Sequence, residues 1–461
     1  MKTFFIQTFG CQMNVYDGQR IAAMLCARGL AQTDSIPDAD IIILNTCSVR
    51  EKASNKVFSA LGRIRNQKKP GALFGIVGCV AREAGADAFK RIPELNFVLG
   101  PQTYHKLPEI LENPDARLLN IDLSGLEKFD ELGIAGGVAV YDSGQSKTTF
   151  VEDRPTPLSY IPIQEGCDHC CTYCIVPFTR GRELSRPFSE VMRDVNAAAE
   201  NGAVEICFLG QNVNGYKYSL ADLIRETAKI ESIKRIRFTS SYPTEMSDDL
   251  IALFGQEPKL LPFLNMPIQS GSPDVLTRMN RPYSLDLYID ITKKLRAARP
   301  DIQISSDFIV GFPGESEDDF EMTCDIARRI GYINSYSFKY SPRPHTAAAL
   351  MPDQIPDNVK RDRLKILDDI LTENNRRFNE SCVNKTFECL IEGPDKTGKN
   401  MIARTPFMQQ VIIKSEERRT KDDRVAVQPL SLVLSPSSLV LVKIIEANKC
   451  SLRGEIVKTK P

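Results

Sequence analysis

The chain has 461 residues, with 59 Lys or Arg against 59 Asp or Glu and 42% hydrophobic residues. That length builds about two to four domains with ample core, and the zero net charge excludes a global basic field, so any nucleic-acid partner must be met by a local patch. Thirteen cysteines without an export signal exclude a disulfide scaffold, and the lack of an apolar run of roughly 18 residues excludes a membrane span, so a cytoplasmic protein with reduced thiols is expected.

The first hundred residues alternate short apolar runs with amphipathic segments, as βα units do. Strands are predicted at 2–7, 40–45, 73–77 and 96–99, with helices at 17–28 and 49–66. Each of the first three strands runs directly into a cysteine, namely Cys11, Cys47 and Cys79. Carboxyl ends of parallel strands share one sheet edge, where such folds bind ligands, so these thiols should converge. Cluster ligation competes there with a redox-active thiol set and with small buried hydrophobes.

Residues 113–155 are poorer in pattern, with Gly133-Ile134-Ala135-Gly136-Gly137 near the middle. They read as a linker, assigned to 116–152. A second βα series follows, with strands at 160–164, 204–209, 235–239, 263–268, 303–310 and 335–340 and helices at 189–201, 285–298 and 317–330. Six such units make a partial (βα)6 barrel with its site at the strand carboxyl ends, by analogy with the full barrel. The first strand leads into Gly166-Cys167-Asp168-His169-Cys170-Cys171-Thr172-Tyr173-Cys174. A cubane cluster normally takes four thiolates, so three closely spaced ones leave an iron corner open. Two zinc pairs, Cys167/Cys170 and Cys171/Cys174, are the competing reading, but structural zinc sites separate their pairs by a longer loop. Arg180 and Arg182 beside this loop could neutralise a carboxylate or phosphate, although arginines and a loop histidine such as His169 are more often solvated surface.

A charged helix at 357–380 leaves this domain, and from about Cys382 strand-like alternation suggests a small antiparallel barrel. Residues 382–461 carry fourteen Lys or Arg and nine Asp or Glu, a surplus of five, which suits either a soluble appended barrel or a local RNA-binding patch. The fold class is therefore α/β: a parallel α/β sheet domain at 1–115, the linker at 116–152, the partial barrel at 153–381 and the small β-barrel at 382–461.

These motifs resemble the methylthiotransferase family of radical S-adenosylmethionine (SAM) enzymes. The resemblance covers nearly the whole chain. It rests on Thr8-Phe9-Gly10-Cys11-Gln12-Met13-Asn14, Asn45-Thr46-Cys47, Gly78-Cys79, Gln164 through Glu183, Leu209-Gly210-Gln211-Asn212, Gln269-Ser270-Gly271-Ser272 and Phe308 through Glu315. Met279-Asn280-Arg281 and Ser451-Leu452-Arg453-Gly454-Glu455 are similar to the branch that methylthiolates C2 of isopentenylated adenosine beside the anticodon of tRNA. The resemblance implies that the terminal barrel is TRAM-like. It also implies that Cys167, Cys171 and Cys174 hold a 4Fe-4S cluster that binds and cleaves SAM. A second 4Fe-4S cluster on Cys11, Cys47 and Cys79 would carry sulfur, and a second SAM would supply the methyl group. Gly210, Gln211 and Asn212 would contact SAM, with a tight structural turn as the competing role. Implied partners are tRNA and a low-potential electron donor, for a monomer without membrane contact.

Two other substrates share this chemistry: threonylcarbamoyl-adenosine in tRNA and an aspartate of a ribosomal protein. A non-catalytic iron-sulfur protein that binds RNA is the reading from another class, and the open iron corner argues against it. Asn265, Pro282 and His345 depart from the family's usual residues, His345 standing where a glycine is usual.

Overall fold

The computed structural model describes residues 2–48, 51–123, 125, 127–131, 138–142, 147–151, 157–395, 397–414 and 438–459. Its first unit is a sheet of β1 (Thr3–Thr8), β2 (Ala31–Gln32), β3 (Ile41–Thr46), β4 (Leu73–Gly78), β5 (Phe97–Leu99), β6 (Leu118–Asn120), β7 (Val138–Asp142) and β8 (Lys147–Val151). The main path runs β6-β5-β4-β3-β1-β8-β7, with β2 paired to β1. Strands β1 to β6 are parallel, and the central β3, β4 and β5 are buried throughout, as a sheet covered on both sides requires. Phe5, Ile42, Leu44 and Phe74 fill one core, and Phe4, Ile6, Ile43 and Val77 the other.

Residues 116–152, expected as a linker, contribute β6, the helix Glu127–Glu131, and the β7–β8 hairpin, which adds antiparallel to β1. These strands are three to five residues long, too short for periodicity to separate them from loop. Gly133 to Gly137 lie outside the described residues.

The second unit is an arc of parallel strands with one short antiparallel pair. It comprises β9 (Leu158–Pro162), a short β10 (Gln164–Glu165) paired with β11 (Leu184–Ser185), β12 (Glu205–Leu209), β13 (Arg235–Phe238), β14 (Phe263–Asn265), β15 (Gln303–Ser305), β16 (Asp307–Val310) and β17 (Tyr336–Lys339). Pairing runs β9-β12-β13, then β14-β15, then β16-β17, with parallel bridges Ile236–Leu260 and Gln269–Phe308 joining the pieces. The predicted strand 303–310 is thus two strands. It breaks at Ser306, whose backbone N–H turns to the Ser335 hydroxyl at 2.9 Å and whose own hydroxyl accepts from Ile268 N. The helices Leu285–Ala298 and Glu317–Ile330 stand where their amphipathic patterns place them, begun by Ser284 and Ser316 as side-chain N-caps.

The third unit is a closed barrel in the order β18-β19-β20-β22-β21. Its strands are β18 (Thr386–Pro394), β19 (Asn400–Arg404), β20 (Gln410–Lys414), β21 (Leu439–Ala447) and β22 (Leu452–Thr459), packed on Cys389, Ile391, Val411, Val442 and Ile444. In β19 only Met401 and Ala403 are buried. The barrel's charged and serine-rich middle, 415–437, lies outside the described residues. Among the described residues no helix is long and apolar enough to cross a membrane.

Candidate metal centre

Parallel register brings the first three cysteines to neighbouring strand ends: Thr8 pairs with Asn45, and Thr46 with Gly78. Cys11 starts the helix Gln12–Cys26, Cys47 follows β3, and Cys79 starts a short helix after β4. Cys47 and Cys79 are buried, and Cys11 is exposed. A Cβ on Gly10, at φ +130°, would overlap the Cys47 side chain, so only glycine lets the two loops close. The Cys11 thiol donates to Asn14 Oδ1 at 3.2 Å. Asn14 Nδ2 in turn donates to Asn45 Oδ1 and the Thr46 carbonyl, both at 2.9 Å. A hydrogen bond from Cys47 and the Arg180 charge hold the Cys11 thiol down at about 6, whereas burial pushes Cys79 up.

The second triplet sits on the loop after β10. Gly166 adopts φ +75°, and a Cβ there would overlap the Arg182 carbonyl oxygen. Burial pushes Cys167 up to about 11 and, with Cys171 nearby, Cys174 up to about 12. Metal binding at these thiols would therefore release protons. Met279-Asn280-Arg281 packs against this loop. Thr172 N donates to the Met279 carbonyl at 3.0 Å, and Asn280 Nδ2 donates to the carbonyls of His169 and Cys170, each at 3.2 Å. Arg281, 5% exposed, sets Nη1 3.8 Å from Cys171 Sγ and 3.3 Å from Tyr173 Oη, donates Nη2 to the Pro267 carbonyl at 2.7 Å, and lies over the Tyr242 ring. Cys170 is exposed with φ +48°. Among the described residues no three His, Cys, Asp or Glu side chains gather about a single-ion position.

Residues neighbouring both triplets in sequence meet in a buried charge cluster. Arg180 Nη1 donates to Glu165 Oε1 and Nη2 to Asp17 Oδ2, both at 3.0 Å. Lys128 bonds Glu165 Oε1 and stands 3.6 Å from Asp17 Oδ1. Arg180 is therefore neither solvated surface nor a free phosphate clamp. His169, read as an exposed loop residue, stacks on Tyr242 at 3.6 Å between centroids and pairs with Glu245 at 3.0 Å.

Gly210, Gln211 and Asn212 tie the end of β12 to the cysteine loop. Gln164 Oε1 accepts from Gln211 N at 2.9 Å and Asn212 N at 3.0 Å, and Gln211 Oε1 accepts from Gly166 N at 2.7 Å. Gln211 thus serves the turn. Asn212 donates to Glu183 Oε2 at 3.1 Å and keeps its Oδ1 buried without a hydrogen-bond partner, as do Ser241 Oγ and Tyr242 Oη at the next strand end. Asn265 bonds Ser240 N and Ser305 Oγ, both at 3.3 Å. His345 has φ +66°, a conformation that glycine favours. Cys207, Cys324, Cys382 and Cys389 are buried, and Cys450 is exposed.

Sequence reasoning missed Asp17, Lys128 and Glu165. Asp17 and Glu165 stand near Cys11 and Cys167 in the chain, but nothing local marks them as ion partners. Arg281 was visible only as part of a subgroup signature without a role.

Two family models match the chain: "Uncharacterized protein family UPF0004" over residues 3–100 and "Radical SAM superfamily" over 161–327. The chain is 42% identical over 475 residues to the tRNA-2-methylthio-N(6)-dimethylallyladenosine synthase of Rickettsia bellii (strain OSU 85-389), covering 99% of this chain and 100% of that one. It is 43% identical over 473 residues to the enzyme of that name from Rickettsia canadensis (strain McKiel), covering 99% of each. A radical S-adenosylmethionine methyltransferase, TsrM, of Kitasatospora setae, solved with tryptophan substrate and a SAM analog, superposes with a TM-score of 0.53 at 11% identity. That match covers 86% of this chain and 79% of TsrM, and it is a likeness of fold alone.

Proposed function

This chain belongs to the family of the tRNA-2-methylthio-N(6)-dimethylallyladenosine synthases, and on that premise we propose that it is a radical-SAM methylthiotransferase acting on C2 of an isopentenylated adenosine beside the anticodon of tRNA. The observation that carries this reading is likeness over the whole chain, at 42% identity, to enzymes of that name. Radical SAM enzymes use a 4Fe-4S cluster and SAM, and we assign that cluster to Cys167, Cys171 and Cys174. A second 4Fe-4S cluster is assigned to Cys11, Cys47 and Cys79. The donor sets fit: each is three thiols on loops held by a glycine that no larger residue could replace, Gly10 or Gly166.

Cys167, Cys171 and Cys174 would hold a 4Fe-4S cluster whose one-electron chemistry with SAM would allow hydrogen to be removed from an aromatic carbon, which no acid–base side chain offers. The chain's own residues hold and orient. Gln211 and Gln164 clamp the start of the cysteine loop. Arg281 places a buried positive charge beside Cys171 and so offsets thiolate charge. Asn212 Oδ1, Ser241 Oγ and Tyr242 Oη are the unpaired polar atoms offered for SAM, while Gly210 and Gln211 act through the turn. The terminal barrel, with its surplus of five positive charges, is the surface assigned to tRNA backbone. The reading includes a low-potential electron donor, a cytoplasmic location and a monomeric state.

Nucleoside mass spectrometry of tRNA from cells with and without the gene tests this. Loss of the 2-methylthio form with accumulation of the isopentenylated precursor is expected. Unchanged tRNA, with a modified ribosomal protein instead, would overturn it.

A further inference from the structure

Four buried charges, drawn from segments beside both thiol triplets, form one ring. Asp17 lies on the helix that Cys11 begins, Lys128 comes from the segment after β6, Glu165 stands two residues before Cys167, and Arg180 ends the helix that follows Cys174. None is more than 3% exposed. Each carboxylate meets both cations: Glu165 bonds Arg180 and Lys128, and Asp17 stands 3.0 Å from Arg180 and 3.6 Å from Lys128. Further donors and acceptors complete the ring. Tyr104 Oη donates to Asp17 Oδ1 at 3.1 Å, Lys128 donates to the Pro101 carbonyl at 3.0 Å, and Gln102 Nε2 donates to the Arg180 carbonyl at 2.9 Å. Arg180 ends a helix that packs on the one Cys79 begins, where Arg82 Nε donates to the Phe178 carbonyl at 3.3 Å, so the charges of Arg180 and Asp17 both act on Cys79 and Cys11.

A buried ion cluster adds little net stability over apolar packing of the same volume. What it can supply is fixed register and a fixed charge. The ring spans the seam between the sheet domain and the partial barrel, since two of its members come from each side of residue 157. We infer that Arg180, locked by Asp17, Glu165 and Lys128, is a positioning residue that holds the two cysteine loops in register and sets the electrostatic potential at the Cys11, Cys47 and Cys79 centre. This rests on the proposed second cluster.

The sign of the effect follows from charge. Reduction adds an electron to the centre, so a fixed cation in a water-poor seam favours the reduced form and a fixed carboxylate opposes it. Losing Arg180 must make the midpoint potential more negative, and losing the Asp17 charge must make it more positive.

The experiment uses the full-length chain with Cys167, Cys171 and Cys174 replaced by Ala, reconstituted with iron and sulfide and titrated anaerobically, so that only the second centre is read. Arg180→Gln is expected to shift the midpoint negative, Asp17→Asn to shift it positive, and Arg180→Lys to stay near the parent. Merely loosened packing would not give opposite signs for two partners of one ion pair. Unmoved midpoints, or shifts of the same sign in Arg180→Gln and Asp17→Asn, overturn the inference. Should Arg180→Gln fail to take up the cluster, Asp17→Asn decides alone: a positive shift supports it and no shift overturns it. A parent that takes up no cluster removes the second centre from the proposed function, and the inference with it. A parent that loads normally while its variants do not move sinks the inference only.

Discussion

Glu205 offers the sharpest test of how the partial barrel holds the terminal barrel. Its buried carboxylate, 2% exposed, meets Arg235 Nε at 2.8 Å and Arg237 Nε at 2.6 Å. Arg235 passes the contact on, donating to the carbonyls of Arg404 at 3.1 Å and Thr405 at 3.0 Å in the terminal barrel. Arg237 Nη1 donates to Cys207 Sγ at 2.9 Å. Glu205→Gln keeps the shape and removes the charge, leaving two buried guanidinium groups uncompensated. Breaking one buried pair costs about 3–5 kcal/mol, and two cations on one carboxylate place this variant in the upper part of that range. At about 2–4 °C per kcal/mol for a unit of this size, about 4–5 kcal/mol should lower the unfolding temperature by about 8–20 °C. Arg237→Met removes one cation and leaves Glu205 paired with Arg235, so it should cost less than half as much. With no tryptophan in the chain, unfolding is followed by far-UV circular dichroism, and hydrogen exchange in β18 to β22 reports the docking directly. The reasoning is refuted if Glu205→Gln melts within about 2 °C of the parent, or if Arg237→Met is the more damaging variant.

Gly166→Ala forces a side chain into φ +75° and against the Arg182 carbonyl, costing about 1–2 kcal/mol for the conformation alone. Iron analysis should find the Cys167 centre lost and the Cys11 centre kept. Arg281→Met strands the Pro267 carbonyl and removes the contact to Cys171, worth about 1.5–3 kcal/mol for the charged hydrogen bond. SAM cleavage should fall, and Arg281→Lys should not restore it, because a point ammonium cannot reach Tyr283, Pro267, Tyr173 and Cys171 together. Burial pushes the Glu315 carboxyl up to about 7 from 4.5, against the opposing hydrogen bond from Gly311 N and the Arg363 charge. Its protonated form thus contributes stability that is fully present below about 4.5 and lost as pH rises through about 7. Glu315→Gln should flatten the decline in unfolding temperature across that window, and an unchanged slope would count against the assignment.

Much of this fold was legible because the strongest sequence signals are local. Apolar runs ending in Cys11, Cys47 and Cys79 marked three strands of one sheet edge, and amphipathic patterns marked Leu285–Ala298 and Glu317–Ile330. What stayed hidden depends on partners far apart in the chain. Arg180 and Asp17 are 163 positions apart, and no periodicity announces that two charges will meet in a dry seam. His169 looked like a solvated loop residue because its neighbour Tyr242 arrives from another strand end. The break at Ser306 is written in hydroxyl geometry rather than polarity, and the short strands β6 to β8 carry too few residues for alternation to register. Gly210-Gln211-Asn212 could be placed at a strand end from sequence, but whether its polar atoms face a ligand or close a turn depended on Gln164 and Gly166.

The proposed function requires two separate thiol triplets, each holding its own cluster, with only one open to SAM. The most direct measurement is iron and sulfide content with Mössbauer spectra of anaerobically reconstituted chain, for the parent and for the two triple variants Cys11/Cys47/Cys79→Ala and Cys167/Cys171/Cys174→Ala. Two 4Fe-4S clusters are predicted in the parent and one in each variant, with SAM cleavage persisting only where Cys167, Cys171 and Cys174 remain. A single cluster in the parent, or SAM cleavage surviving removal of those three residues, would contradict it.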